Sequence, residues 1–92
     1  MIVSFRSKAL KRFWEKSDRR GLNPQHVTKI EQLLTFLEAA GNPDDMNVPG
    51  FDFHKLHGDM PPRWSVHVNG NWCITFSFDG NDASAVDYLD YH

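Results

Sequence analysis

Two segments in which apolar and polar residues strictly alternate constrain the fold of this 92-residue chain more than any other feature. The apolar residues of segments 63–68 and 71–78 are Trp64, Val66 and Val68, then Trp72, Ile74, Phe76 and Phe78. Successive side chains of a strand point to opposite faces, so a period of two predicts two β-strands, each with one buried face. Asn69 and Gly70 lie between the segments and are typical of a hairpin turn.

The apolar residues also predict the register of this hairpin. A two-residue turn at Asn69-Gly70 would set the apolar face of each strand against the polar face of the other. A three-residue loop over 69–71 gives the pairs Trp64 with Phe76, Val66 with Ile74, and Val68 with Trp72. Because a shift of one residue moves every side chain to the other face, we expect the longer loop in spite of the Asn-Gly turn preference. The opposite face, which we call the open face, then carries Arg63, Ser65, His67, Cys73 and Thr75.

Two helices are expected before the hairpin, where they would cover its apolar face. Ser7 can cap a helix over about 8–17, and Asn23-Pro24 has the residue types that begin a second helix. Gly41 would end this second helix. Its apolar stripe is Val27, Ile30, Leu34 and Leu37.

The remaining segments complete a single domain over residues 1–92. Residues 1–5 are predicted to form a short strand, and 42–52 a loop. Residues 83–89 form a last strand with apolar residues on both faces, as is typical of a central strand. The order β-α-α-β-β-β predicts an α+β fold, with two N-terminal helices packed on one face of a small antiparallel sheet.

Composition indicates the compartment, and charge indicates a possible partner. One cysteine excludes an intramolecular disulfide and fits a reducing compartment. The chain shows neither the pattern of a signal peptide nor an apolar run of the ~20 residues that span a membrane, so we expect a soluble cytoplasmic protein.

Residues 1–40 carry a charge of +4 and residues 41–92 a charge of −6. The basic half could face RNA, although an ordinary solvated helix face also explains it.

The residues that could perform chemistry are histidines and the segment Asp90-Tyr91-His92. This segment directly follows an apolar strand, which would hold it in place; alternatively it is a frayed tail in which His92 is idle. His54 and His57 could bind a metal ion if a further ligand, such as Cys73 or His92, joined them.

Metal-free cleavage of RNA is the alternative chemistry that the histidines support. One imidazole would remove the 2′-hydroxyl proton, a second group would protonate the leaving 5′-oxygen, and a cation would stabilise the charge on the phosphorane. His54 and His92 suit the proton transfers, and Tyr91 could stack on a base. This mechanism needs no metal and no cofactor.

Five sequence blocks, in order, resemble the HigB-type (proteic killer) toxins of the RelE superfamily along essentially the whole chain. They are MIVSF at 1–5, LHGD at 56–59, WSVHVN at 64–69, WCITF at 72–76 and VDYLDYH at 86–92. The resemblance implies a RelE-like fold and the toxin of a type II toxin–antitoxin system. It further implies an endoribonuclease that cleaves mRNA on the 70S ribosome and so inhibits translation, with a HigA-like helix-turn-helix antitoxin as partner.

The resemblance also implies which residues are catalytic. By position they are His54, Asp90, Tyr91 and His92. His92 would be the acid/base group, with His54 assisting. Tyr91 would hold or stack the nucleotide, and Asp90 would orient a neighbour.

The chain departs from the pattern that the resemblance implies at three positions. The family usually has Arg where this chain has Met60, many members have Arg where it has His67, and the family usually has Arg where it has Cys73. The last of these arginines is the usual contact with phosphate or with the transition state. Arg63 lies on the same face, and with Lys55, His57 and His67 it would supply the missing charge. If it does not, the chain is a weak enzyme, or a binding module that docks on the ribosome or the antitoxin without cleaving RNA.

Overall fold

A computed structural model describes residues 1–58 and 60–91, and it confirms the α+β fold. The helices are α1 (Lys8–Lys16) and α2 (Val27–Ala39), and the strands are β1 (His54–Leu56), β2 (Arg63–Asn69), β3 (Trp72–Asp79) and β4 (Asp82–Asp90). The strands form one antiparallel sheet in the order β1-β2-β3-β4. Within the described ranges, no helix combines the length and the apolarity that crossing a membrane would require.

Helix α1 begins where the sequence predicts, and α2 begins three residues later than the predicted start at Pro24. The side chain of Ser7 accepts a hydrogen bond from the Leu10 amide at 3.1 Å and caps α1. Asn23 caps a short 3-10 turn over Pro24–His26, which leads directly into α2. The predicted stripe of α2 is buried, together with Leu33. Helix α2 ends at Ala39, because Ala40 already has extended backbone, so Gly41 lies just beyond the end of the helix.

The register of the hairpin is confirmed for two of its three predicted pairs. Val66 lies opposite Ile74, and Trp64 lies opposite Phe76. The third pair is wrong, because Trp72 lies opposite Asn69 and a register shift falls between His67 and Asn69. This irregularity leaves a tight turn at Gly70-Asn71, where Gly70 has a φ of 57° that favours glycine.

Strand β1 is absent from the sequence-based prediction. It has only three residues, too few to show an alternating pattern, and it pairs His54 with Ser65 of β2. The predicted loop over 42–52 contains a short 3-10 turn at Pro43–Met46.

Residues 1–6 line the outer edge of β4. They form two isolated parallel bridges, Ile2 with Ala83 and Phe5 with Val86, where we predicted a regular strand. The Val3 amide donates to the Ala83 carbonyl at 2.8 Å, and the Arg6 amide donates to the Val86 carbonyl at the same distance. Strand β4 is thus last in the four-stranded sheet, but hydrogen bonds with residues 1–6 and with β3 flank it on both edges, as they would a central strand.

A single apolar core lies between the helices and one face of the sheet. Leu10 of α1, Ile30 and Leu34 of α2, and Val66 and Ile74 of the hairpin are fully buried in it. Full burial of a side chain of this size stabilises the fold by about 1.5–3 kcal/mol relative to its exposure. The polar side chains on the opposite face of the hairpin lie outside this core.

Candidate active site

Several polar side chains on the open face are buried rather than exposed to solvent. Arg63 is only 6% exposed, and Ser65, Thr75 and Ser77 are buried as well. The Arg63 guanidinium donates hydrogen bonds to Ser77 Oγ at 3.2 Å, to Thr75 Oγ1 at 2.8 Å and to the Ala85 carbonyl at 2.9 Å. The expectation that Arg63 is displayed on an uncovered surface is therefore wrong, because these bonds hold it down on the sheet.

A cavity of about 250 Å³, which we call the site cavity, lies on this face between β1, β2 and the Gly70-Asn71 turn. It is lined by Asp52, His54, Leu56, Ser65, His67, Gly70, Asn71, Trp72, Cys73 and Tyr91. The fold therefore brings together four of the predicted site residues, which are His54, His67, Cys73 and Tyr91.

His54 is held in a defined tautomer at the edge of this cavity. Its Nδ1 lies 2.9 Å from the carbonyl oxygen of Asp52, and because a carbonyl can only accept, Nδ1 carries the hydrogen. Nε2 lies 3.5 Å from Ser65 Oγ. In the neutral ring Nε2 is then the nitrogen that can accept a proton. Asp52 has a φ of 50°, a conformation that is uncommon for residues other than glycine.

His67 also bonds to a backbone carbonyl, but through its other ring nitrogen. Its Nε2 lies 2.9 Å from the carbonyl oxygen of Gly70, so Nε2 carries the hydrogen and Nδ1 is the nitrogen that remains for a ligand. The ring is half-buried. In the sheet, His67 lies directly opposite Cys73.

Cys73 contributes an uncharged thiol to the cavity wall. Burial raises its pKa above the ordinary value, and the negative charge of Asp90 acts in the same direction, while a hydrogen bond with Ser65 opposes them. The side chain is 7% exposed. At neutral pH this position therefore carries no charge toward a bound ligand.

The end of β4 reaches the cavity through Tyr91. Its amide donates to the Asn71 carbonyl at 2.7 Å, and its side chain is 49% exposed, so the ring is available to a ligand. Asp90 lies opposite Trp72 in the register. It does not line the cavity, but its charge raises the pKa of Tyr88 as well as that of Cys73, in each case after the larger effect of burial. His92, the predicted acid/base group, lies outside the described residues.

Lys55 and His57 lie outside the lining of the cavity. Lys55 lies between His54 and Leu56 on β1, and alternation turns its side chain to the other face. His57 is exposed in the turn that follows. Among residues 1–58 and 60–91, no three His, Cys, Asp or Glu side chains are placed so that they could hold a metal ion.

Sequence reasoning missed an aromatic cluster behind the cavity. Trp72 stacks on Tyr88 with ring centroids 4.5 Å apart, and His26 Nδ1 lies 2.6 Å from the Tyr88 hydroxyl. His26 is 3% exposed and meets both rings edge-on. No spacing in the sequence links residue 26 to residue 88, so only the fold could show this contact. The cluster fixes the wall of the cavity next to Asp90 and Tyr91.

Similarity to known proteins identifies the family of this chain. The sequence matches the family described as "RelE-like toxin of type II toxin-antitoxin system HigB" over residues 3–92, and the chain belongs to this family. It is 38% identical to the protein named Endoribonuclease HigB of Proteus vulgaris, over 92 residues that cover the whole of both chains. The resemblance given by the five sequence blocks is therefore confirmed.

Proposed function

We propose that this protein is an endoribonuclease that cleaves mRNA on the ribosome and thereby arrests translation and growth. The observation that carries the proposal is the meeting of His54 and Tyr91 at one cavity, where Nε2 of His54 lies 3.5 Å from Ser65 Oγ of the lining. The relative from Proteus vulgaris is named as an endoribonuclease, which supports the same reaction class.

The proposed reaction uses the RNA as its own nucleophile. The 2′-oxygen attacks the adjacent phosphorus while an imidazole takes its proton, and the bond from phosphorus to the 5′-oxygen breaks as that oxygen receives a proton. His92 is the proposed acid/base group and His54 assists it. Tyr91 stacks on or holds a base beside the cleaved bond, and Asp90 orients a neighbouring group. No metal ion and no cofactor takes part.

The distribution of charge supports dependence on the ribosome. On α1, Lys8, Lys11, Arg12 and Lys16 are all exposed, whereas the half of the chain that builds the cavity carries a charge of −6. Contacts with phosphate dominate affinity for RNA, so free RNA should bind the cavity poorly. The basic face of α1 would dock on ribosomal RNA and bring the cavity to the mRNA. In this proposal the protein acts in the cytoplasm, where a HigA-like helix-turn-helix antitoxin would restrain it.

Parallel cleavage assays test the proposal. We expect purified protein to cut an mRNA on translating ribosomes and to leave the same RNA largely intact without them. A variant with Lys11→Gln and Lys16→Gln should lose activity on ribosomes, because it removes two cations from the basic face. Asn81→Ala, in the β3–β4 turn, is the matched surface control. Equal cleavage of free and ribosome-bound RNA would contradict the role given to the ribosome.

A binding module without cleavage is the second candidate, and Cys73 favours it. An uncharged thiol occupies a cavity wall where the resemblance implies an arginine. Removal of such an electrostatic group lowers rates by about 100- to 1,000-fold. Growth arrest with intact mRNA, and binding to ribosomes that survives His54→Gln, would support this candidate over the enzyme.

A further inference from the structure

His26 is a buried polar side chain that takes no part in the proposed reaction. It ends the 3-10 turn that leads into α2, and it is 3% exposed. Burial of an unpaired polar group costs free energy, so an imidazole in such a place needs a partner. Its partner is the hydroxyl of Tyr88 on β4, which lies 2.6 Å from Nδ1. This hydrogen bond joins the start of α2 to the sheet.

Tyr88 in turn packs against the wall of the site cavity. Its ring stacks on Trp72, with 4.5 Å between the centroids and 29° between the planes, and Trp72 lines the cavity. His26 meets both rings edge-on, with centroids 5.8 Å from Trp72 and 6.1 Å from Tyr88. The three rings therefore connect the start of α2, through β4, to the strand that borders the cavity.

The end of β4 is the part of the site that depends on this connection. Strand β4 ends at Asp90, which pairs with Trp72, and the Tyr91 amide then donates to the Asn71 carbonyl at 2.7 Å. Segments near a chain end fray unless they are tied down. Tyr88 precedes Asp90 by two residues, so its stack on Trp72 lies next to the segment that reaches the cavity.

We propose that His26 is a positioning residue: through Tyr88 it fixes Trp72 and the end of β4, and thereby the place at which Asp90 and Tyr91 meet the RNA. This inference rests on the proposed function and deepens it, since His26 itself lies outside the lining of the cavity. A hydrogen bond has a preferred length and direction, so it defines a position more narrowly than apolar packing does. A misplacement of about 1 Å in an active site can lower the rate about 100-fold.

The hydrogen bond can be removed without leaving either partner unpaired. In the double variant His26→Leu with Tyr88→Phe, both partners become apolar, and such a replacement can be nearly neutral for stability. Tyr88→Phe also releases the backbone of Asn23, which is exposed and can bond to water instead. The double variant therefore separates the position of the rings from the stability of the fold.

The variant His26→Asn provides the opposite case. Its amide lies close to the place of Nδ1 and can keep the bond to Tyr88, but it fills less of the buried volume than the imidazole. A merely structural role for His26 predicts that activity follows stability. Positioning predicts the reverse order, in which His26→Asn is less stable than the double variant but more active.

Cleavage of mRNA on ribosomes gives kcat and KM for each protein, and urea unfolding gives its stability. In the double variant, kcat should fall by about 10- to 100-fold. Its KM for ribosomes should stay within about threefold of the parent, because the basic face of α1 is unchanged. The kcat of His26→Asn should remain within about threefold of the parental value.

Two further measurements isolate the position of the chain. Ile30→Val, one turn further along α2, is the matched control, since it removes a methyl group from a fully buried side chain. It should lower the urea midpoint and leave kcat unchanged. Hydrogen exchange at the Tyr91 amide follows the end of β4 directly. This amide should exchange faster in the double variant and at the parental rate in His26→Asn.

The possible failures are distinguishable. A folded double variant with the kcat and the Tyr91 exchange rate of the parent overturns the role of His26 and leaves the proposed function intact. So does His26→Asn with a kcat as low as that of the double variant. If the double variant does not fold, Tyr88→Phe alone, which keeps the ring and loses the bond, replaces it. If the parent cleaves no mRNA on ribosomes, the proposed function fails, and exchange at the Tyr91 amide still decides whether His26 fixes the end of β4.

Discussion

The two faces of the β2–β3 hairpin are buried to a similar depth but are stabilised differently. On the core face, Val66, Ile74 and Phe76 are fully buried among apolar side chains. On the open face, Ser65 and Thr75 are buried nearly as deeply, but their neighbours are polar. The first face depends on the volume and shape of its side chains, and the second depends on hydrogen bonds.

This difference shows that depth of burial alone does not separate the core from the site. In the described part of the chain, every buried side-chain nitrogen and oxygen has a hydrogen-bond partner. A buried polar network that is fully paired is rigid, because each group that moves leaves another unsatisfied. The polar face can therefore hold His54, Cys73 and Tyr91 in place around the site cavity.

The largest expected effect is on activity and concerns the open face. His54→Gln removes the imidazole that assists His92 in proton transfer and whose tautomer is fixed by Asp52, so cleavage should fall by about 100- to 10,000-fold. His54 is exposed, so the midpoint of thermal unfolding should barely change. The comparison pairs a cleavage assay with a thermal melt. A variant that melts as the parent does and still cuts at the parental rate would remove His54 from the reaction.

The next effect is on stability and concerns the core face. Phe76→Ala removes a fully buried aromatic ring and leaves a cavity in the core. It should lower the free energy of unfolding by about 3–5 kcal/mol. Ile74→Val removes one methyl group on the same strand and should cost about 0.5–1.5 kcal/mol. Urea unfolding measures both. Similar losses from the two substitutions would mean that packing volume does not control this face.

A smaller loss of stability is expected from the polar network. Arg63→Met keeps most of the buried stem but leaves Thr75, Ser77 and the Ala85 carbonyl without their donor, at a cost of about 2–3 kcal/mol. Arg63→Lys should not restore the loss, since an ammonium cannot reproduce the planar fork of donors. Urea unfolding of both variants is the measurement. Full rescue by lysine would show that charge matters here and geometry does not.

The smallest effect is a loss of stability at alkaline pH. Burial raises the pKa of Cys73 and of Tyr88 in the folded protein, and Asp90 adds to both shifts. The folded state then holds its protons more tightly than the unfolded chain, so stability is complete below the ordinary thiol range and declines from about pH 8.5 upward. Urea midpoints between neutral and alkaline pH should show this decline. Cys73→Ser should make the decline shallower, and an unchanged slope would exclude the thiol as its source.

The sequence was sufficient to predict those parts of the fold in which one face of a strand or helix is buried and the other is not. Alternation along the two hairpin strands predicted the pairs of Trp64 with Phe76 and of Val66 with Ile74, because any other register would expose the core. The irregularity next to Asn69 could not be predicted in this way, since it depends on the geometry of the Gly70-Asn71 turn. Strand β1 was missed because three residues do not define a period.

The site was less predictable because its parts come from separate elements. An arginine on a polar face is expected to be exposed, and the burial of Arg63 requires acceptors from β3 and β4 that no spacing reveals. Family resemblance marked His54 and Tyr91 as candidates, and the structure places both at the cavity. The contacts of Asp52 and Gly70 with the two imidazoles are made by backbone carbonyls, which the residue types do not disclose.

Ala85 connects residues 1–6 to the hydrogen-bond network around Arg63 on the open face. Its amide donates to Ser4 Oγ at 2.8 Å across 81 positions of sequence, its carbonyl accepts from Arg63, and its φ is 50°. Closing a loop of that length costs about 4 kcal/mol of chain entropy, which the contacts made afterwards must offset. Residues 1–6 are mostly exposed, and a segment with few buried contacts opens more readily than the core. Opening of this segment would remove the Ser4 partner of the Ala85 amide, and the same residue carries the carbonyl that accepts from Arg63, so the docking of residues 1–6 on β4 supports the hydrogen-bond network of the site.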